Sequence, residues 1–258
     1  MNKQILLALL VSIFGFLSCK KNSATNSTAN TTCSLNKVTG SYNGDNNFEQ
    51  TYLYNTASLL SEMKTKDYDW LLSYNANKQL IKMVFSSPQE GKTFDLSWNQ
   101  NQVTEITQTT TYNGMTSYRT YQPIYKNNKV LKYLNYIGNN SNNTILEGYD
   151  SLAYDLVGNI TKLYHFTTLG GSTSESLTNI SYDNQTFCDF SYEINPFEPF
   201  LLFINQTPNN PVQAKTTGSS TWSGFNLTYQ YDSNMKPVTI SGTYQDQPLT
   251  LSLTYNCK

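Results

Sequence analysis

Wherever a run is long enough to count, hydrophobic and polar residues alternate with a period of two. Phe94, Leu96 and Trp98 fall on one side against Asp95 and Ser97. Leu227, Tyr229 and Tyr231 oppose Thr228 and Gln230, and Leu249, Leu251, Leu253 and Tyr255 oppose Thr250, Ser252 and Thr254. One side is apolar and the other rich in hydroxyls, the pattern of antiparallel strands with one wet face. No amphipathic helical stretch competes beyond the N-terminal apolar run. Residues 57–64 include helix formers but lie inside the strand pattern.

The alternation is punctuated by a recurring tile: an aromatic, then Asn or Asp, a few polar residues and an aliphatic pair. Tyr54-Asn55 leads to Leu59 and Met63, Tyr74-Asn75 to Leu80 and Met83, and Trp98-Asn99 to Val103 and Ile106. Tyr125 with Asn127 and Asn128 leads to Val130, Tyr154-Asp155 to Ile160 and Leu163, and Tyr231-Asp232 to Val238 and Ile240. Each tile reads as a strand end, a polar turn and the next strand, with Asn, Asp and Gly in the turn because they tolerate its dihedrals. Six or seven tiles imply a dozen or more strands. A closed circular barrel of that size has a lumen too wide for side chains alone. The expected fold is therefore all-β: a large antiparallel meander of repeated hairpins, as a curled sheet or a flattened or open barrel, with the apolar, Tyr-rich face inside. Pro196, Pro199, Pro208 and Pro211 flank Phe200–Ile204, and proline that dense argues against a central strand. Residues 195–220 are expected to form a long insertion covering an end of the sheet, or an edge hairpin.

Composition narrows the function. The 258 residues suffice for one large β domain, the formal charge is −1, and Arg119 is the only arginine. Neutralising phosphates needs clustered Lys and Arg, so a nucleic-acid partner is not expected. Charged residues make up 14%, whereas 20 Tyr, 3 Trp and 12 Phe stand among abundant Asn, Ser and Thr, a mixture suited to an exported β-protein. His165 is the only histidine. It sits in a strand context without a nucleophile motif, and it is read as a structural residue. One histidine and scattered cysteines do not match zinc-ligand spacings, and no glycine-rich phosphate loop is present. Asp67 and Asp69 share a strand face, but an exposed hairpin suits them better than glycosidase chemistry. No catalytic residue, metal or cofactor is assigned.

The N-terminus is the most specific stretch. A lone Lys3, the apolar run Ile5–Leu17 and then Ser18-Cys19 form a secretory signal (residues 1–18), too short and wrongly flanked for a membrane span. Ser18-Cys19 resembles the lipobox of bacterial lipoproteins, which implies lipidation of Cys19 and anchorage in the membrane through acyl chains. Residues 19–32 are almost all polar and read as a flexible tether of roughly 20 Å reach, ahead of a single domain over 33–258. Lys20-Lys21 is not the acidic pattern that retains lipoproteins at inner membranes, so the outer membrane is the expected location, with the face left open.

With Cys19 assigned to lipid, Cys33, Cys188 and Cys257 remain in an oxidising compartment, so one is left free or pairs outside the chain. Cys33 opens the tiled region and Cys257 closes it. The two are expected to form a disulfide that ties the start of the sheet to its end. Cys188, between Phe187 and Phe190, reads as a small core residue.

The lipobox, the cysteine at the domain start followed by Leu35 and Val38, the repeated Tyr-Asn/Asp hairpins, Asn195-Pro196-Phe197, Asn209-Asn210-Pro211-Val212 and the closing Thr254-Tyr255-Asn256-Cys257 are together similar to uncharacterised Bacteroidetes lipoproteins of the DUF4595 family. The tiles also resemble Tyr-Asp (YD, Rhs-type) repeats. The family resemblance implies a porin-like fold and an envelope location, and it brings no catalytic residues. Asp150-Ser151-Leu152 resembles the O-glycosylation acceptor of Bacteroidetes, with Ser151 expected in a loop. The function expected is a non-catalytic binding or structural lipoprotein facing a glycan, lipid or protein partner. The alternative is a carbohydrate-active or other hydrolase using scattered carboxylates.

Overall fold

The computed structural model describes residues 33–42, 45–138, 145–169, 171–186, 208–220 and 223–257. Every regular element among them is a strand: Cys33–Tyr42 (β1), Asp45–Tyr54 (β2), Leu60–Lys64 (β3), Asp69–Tyr74 (β4), Leu80–Ser86 (β5), Glu90–Asn99 (β6), Gln102–Tyr112 (β7), Met115–Lys126 (β8), Lys129–Gly138 (β9), Ile145–Tyr154 (β10), Ile160–Leu169 (β11), Ser172–Thr186 (β12), Asn209–Gly218 (β13), Gly224–Tyr231 (β14), Pro237–Tyr244 (β15) and Gln247–Cys257 (β16). Each pairs antiparallel with its sequence neighbours, and β1 pairs with β16, so the sheet is a closed barrel. The hairpin meander follows the alternation, but the sheet is neither curled nor open. Its end strands meet from Cys33 opposite Cys257 to Ser41 opposite Thr250, which leaves no edge exposed. Residues 209–218 of the expected insertion are β13, a full member of the barrel, with Pro211 at a register shift where its missing N–H is tolerated. Residues 195–207 lie outside the described ones.

The inward face is apolar. Val38, Met63, Met83, Phe94, Ile106, Tyr133, Ile240 and Leu251 are fully buried and belong to one core to which nearly every strand contributes. Trp70 packs on Phe85 at a ring separation of 5.0 Å within it. The alternate positions are wet: Asp95, Ser97, Thr228, Gln230, Thr250, Ser252 and Thr254 are exposed. Cross-strand pairs Lys37–Glu49 at 2.7 Å and Lys82–Asp95 at 3.6 Å also lie on this outer face.

Three local devices make the tile. A register shift falls at the tile aromatic in six hairpins: Leu53/Tyr54, Ser73/Tyr74, Ser97/Trp98, Ile124/Tyr125, Ala153/Tyr154 and Gln230/Tyr231. The bulge inserts one residue in the following strand, so the inward pair is spaced i, i+3 and not i, i+2. Leu60/Met63, Leu80/Met83, Val103/Ile106, Val130/Tyr133, Ile160/Leu163 and Pro237/Ile240 are the pairs that result. Leu60 and Pro237 therefore replace the expected Leu59 and Val238.

The second device is the turn. Asn55 Oδ1 accepts from the amides of Ala57 and Leu59, Asn75 Oδ1 from Asn77 and Gln79, Asp155 Oδ1 from Gly158 and Asn159, and Asp232 Oδ1 from Asn234 and Lys236. The Asx residue caps the turn with its side chain. The left-handed backbone belongs to the residue three places on, at Ser58, Lys78, Gly158 and Met235.

The third device is a clamp. Seven hairpins joined at the far end, from β3–β4 to β15–β16, have their open end tied by an aromatic donor to a backbone carbonyl near the start of the preceding strand. Tyr74 Oη donates to Leu60 at 2.8 Å, Trp98 Nε1 to Leu80 at 2.8 Å, Tyr125 to Val103 at 3.0 Å and Tyr154 to Val130 at 2.7 Å. Tyr182 does the same to Ile160, Tyr229 to Pro211 and Tyr255 to Pro237. Burial holds the Tyr125 and Tyr154 phenols up at about 12, so they remain donors across the neutral range. All tile turns gather at the end of the barrel that carries Cys33 and Cys257.

Candidate functional site: a polar cluster inside the barrel

Toward the opposite end, the inward face of β7–β12 changes from apolar to polar. Inward parity brings Gln108 on β7, Arg119 and Tyr121 on β8, Asn135 on β9, Asp150 on β10 and His165 on β11 together. The register sets Tyr121 beside Asn135, Asp150 beside His165, and Ser176 across from His165. A second register shift, between Leu146 and Gly148, turns Glu147 inward to Arg119.

Asp150 is the centre and is only 3% exposed. Its Oδ1 lies 2.6 Å from His165 Nδ1, and its Oδ2 accepts from Asn135 Nδ2. Arg119 Nη2 reaches Glu147 Oε1 at 3.4 Å, and Tyr121 Oη donates to Gln108 Oε1 at 2.9 Å. The hydrogen bond from Asp150 raises the His165 pKa above its usual value, with the charges of Asp150 and Glu147 adding to it and burial and Arg119 opposing. Burial pushes the Tyr121 phenol up to about 12, against the opposing charge of Arg119. The cluster thus holds an imidazole and a guanidinium over two buried carboxyl groups. It can orient a small polar ligand at the barrel mouth. Among the described residues no group of His, Cys, Asp and Glu could hold a metal ion.

A crystal structure of a porin-like protein from Bacteroides vulgatus matches this barrel at TM-score 0.59, covering 86% of this chain and 98% of that one at 15% identity. The fold is porin-like. A porin-like protein from Bacteroides uniformis aligns over 87% of this chain and 96% of that one, at 13% identity and TM-score 0.47; the likeness in fold rests on the first. No family model and no curated protein matches the chain.

The residues singled out in the sequence are dispersed over this porin-like barrel. Cys19 and Cys188 lie outside the described residues. Cys33 and Cys257 are bridged at the tile end, with Cα atoms 4.0 Å apart. Ser151 is in the middle of β10 and not in a loop, on the outward face between Lys132 and Tyr164, because its neighbour Asp150 is committed inward. Asp67 sits in the turn after β3, and Asp69 faces outward at 3.7 Å from Lys64; neither joins the cluster. His165 does, as a partner of Asp150. Arg119, Asn135, Glu147 and Asp150 escaped the sequence reading. The available signal was a set of polar residues at inward positions of otherwise apolar strands.

Proposed function

We propose that this protein is an outer-membrane lipoprotein held by lipid on Cys19, whose barrel stands in water as a non-catalytic binding or structural module. The observation that carries the reading is the polarity of the wall. A barrel that spans a membrane turns an apolar band about 25 Å tall outward and keeps a polar lumen, and sixteen to eighteen strands leave an aqueous channel. Here the core apolar residues face inward and are buried, and the outward positions carry mostly Thr, Ser, Asn, Asp and Lys, with Leu53, Leu71, Ile81, Ile124 and Leu131 as exposed apolar residues among them. A wall in which polar residues outnumber the apolar ones suits water better than lipid, and attachment then falls to the N-terminal cysteine and its polar tether. The polar cluster at the far mouth is the place where the module meets a ligand.

Fractionation of Cys19→Ala tests the anchor. The protein is expected to move from the membrane to the soluble extracytoplasmic fraction. Retention of the variant in the outer membrane would show that the barrel itself spans the bilayer. The non-catalytic part is tested separately with a fluorophosphonate, which is expected to leave Ser176 unlabelled. Covalent labelling at Ser176, opposite His165, would make the protein a hydrolase.

A further inference from the structure

We infer that the polar cluster binds a small carboxylate bearing a nearby hydroxyl, the uronic acids being one class with both groups. The inference rests on reading the barrel as a binding module and names the ligand of that site. The accessible part of the cluster is made of donors: the Arg119 side chain is 51% exposed and that of His165 38%, whereas Glu147 and Asp150 beneath them are 8% and 4% exposed. Asp150 occupies His165 Nδ1 and leaves Nε2 for a ligand. Arg119 reaches Glu147 at 3.4 Å and interacts with the Tyr121 phenol, and its planar fork of five donors suits a carboxylate as well.

The second half of the ligand comes from Asn135. Its Nδ2 is taken by Asp150, while its Oδ1 is buried without a hydrogen-bond partner. A donor is missing there. Across the β9–β10 register Asn135 faces Gly148, which has no side chain to supply one. Nothing larger than glycine fits, because a Cβ at that position lies 1.9 Å from the Phe166 carbonyl oxygen. The close packing of β10 on β11 therefore keeps position 148 from ever supplying that donor. A carboxylate answers Arg119 and His165, and a neighbouring hydroxyl answers Asn135 Oδ1. A neutral sugar lacks the first group and acetate the second.

Binding needs protonated His165. The ionisable groups facing it are Glu147 and Asp150 on β10, Arg119 and Tyr121 on β8, and Tyr133 on β9. Affinity should fall as pH rises through the raised His165 value. Because His165 is the only histidine, its ring resonances report on the site without assignment. Detergent-solubilised wild-type protein is titrated with D-glucuronate and followed by NMR. The titration is therefore independent of where the barrel resides, and a failed anchor shows only in the fractionation. A saturable shift is expected at about pH 6, weakening as pH rises through the raised His165 value. Acetate and D-glucose should bind weaker by about tenfold, as should Arg119→Gln and Asn135→Leu toward glucuronate. Should a variant fail to fold, the wild-type comparison of glucuronate with acetate still decides. No saturable shift, or acetate binding as tightly as glucuronate, overturns the inference.

Discussion

Asp150 satisfies two partners at once, and its removal leaves both His165 and Asn135 Nδ2 without an acceptor. Breaking a buried pair of this kind costs about 3 kcal/mol, so Asp150→Ala is expected to unfold at markedly lower denaturant concentration than wild type. The pH dependence has a definite sign. A histidine whose folded pKa is raised contributes stability that is fully present below the unfolded value of about 6.5 and lost as pH rises through the folded value. Denaturation midpoints measured across that window should fall with increasing pH in wild type and respond less in His165→Asn. The strand pattern marks polar residues at inward positions but not which of them meet. Asn135 and Asp150 are 15 residues apart and Arg119 and Glu147 28, and which of them meet depends on register. The shift that turns Glu147 inward has no signature in residue type. Ser151 shows the same gap: the triplet around it reads like a loop, yet Asp150 on the inward side makes it strand.

At the scale of the element the sequence is far more informative, because the tile encodes its own geometry. The i, i+3 spacing of Leu80/Met83 or Ile160/Leu163 marks a bulge, and in the tiles of Tyr74, Trp98, Tyr125 and Tyr154 the aromatic before it is the clamp donor. What misled was the first aliphatic of two tiles, where Leu59-Leu60 and Pro237-Val238 offer adjacent apolar residues and only the bulge selects between them. Losing one clamp hydroxyl removes a hydrogen bond worth about 1 kcal/mol. Tyr74→Phe is thus expected to lower Tm by about 2–4 °C in a domain of this size. A Tm unchanged in Tyr74→Phe and Tyr154→Phe alike would remove the clamp from the account. The phenols add an alkaline limit. With Tyr125 and Tyr154 at about 12, their contribution is intact below the usual tyrosine value of about 10 and is lost as pH climbs toward the folded values. Far-ultraviolet circular dichroism should show unfolding in that interval.

For the whole molecule, alternation revealed the inward apolar face and the strand-rich meander, while closure could not be read. Closure depends on β1 meeting β16, a contact spanning the entire domain, and the evenly spaced cysteine-to-cysteine limits were its only hint. The Cys33–Cys257 bridge ties those strands across a sequence separation of 224 residues. Peptide mapping without reduction is expected to recover that pair from periplasmically folded protein, and recovery of Cys188 joined to either partner would contradict it. On the chain-entropy model a loop of that length is stabilised by roughly 5 kcal/mol at most, so reduction should lower the unfolding midpoint without opening every hairpin. The dense prolines obscured β13, because Pro211 occupies an irregular position in the ladder that composition cannot distinguish from a loop.

The polarity of the wall is open to one direct measurement in intact envelopes. In a background of Cys188→Ser, the adjacent β16 substitutions Leu251→Cys and Ser252→Cys report on opposite faces, Leu251 being fully buried and Ser252 exposed. A water-soluble maleimide, applied after the outer membrane is permeabilised, is expected to label Ser252→Cys rapidly and Leu251→Cys slowly. A barrel that crosses the membrane around an aqueous lumen gives the reverse order, with the inward position labelled and the outward one shielded by lipid; that result would contradict the water-exposed barrel proposed here.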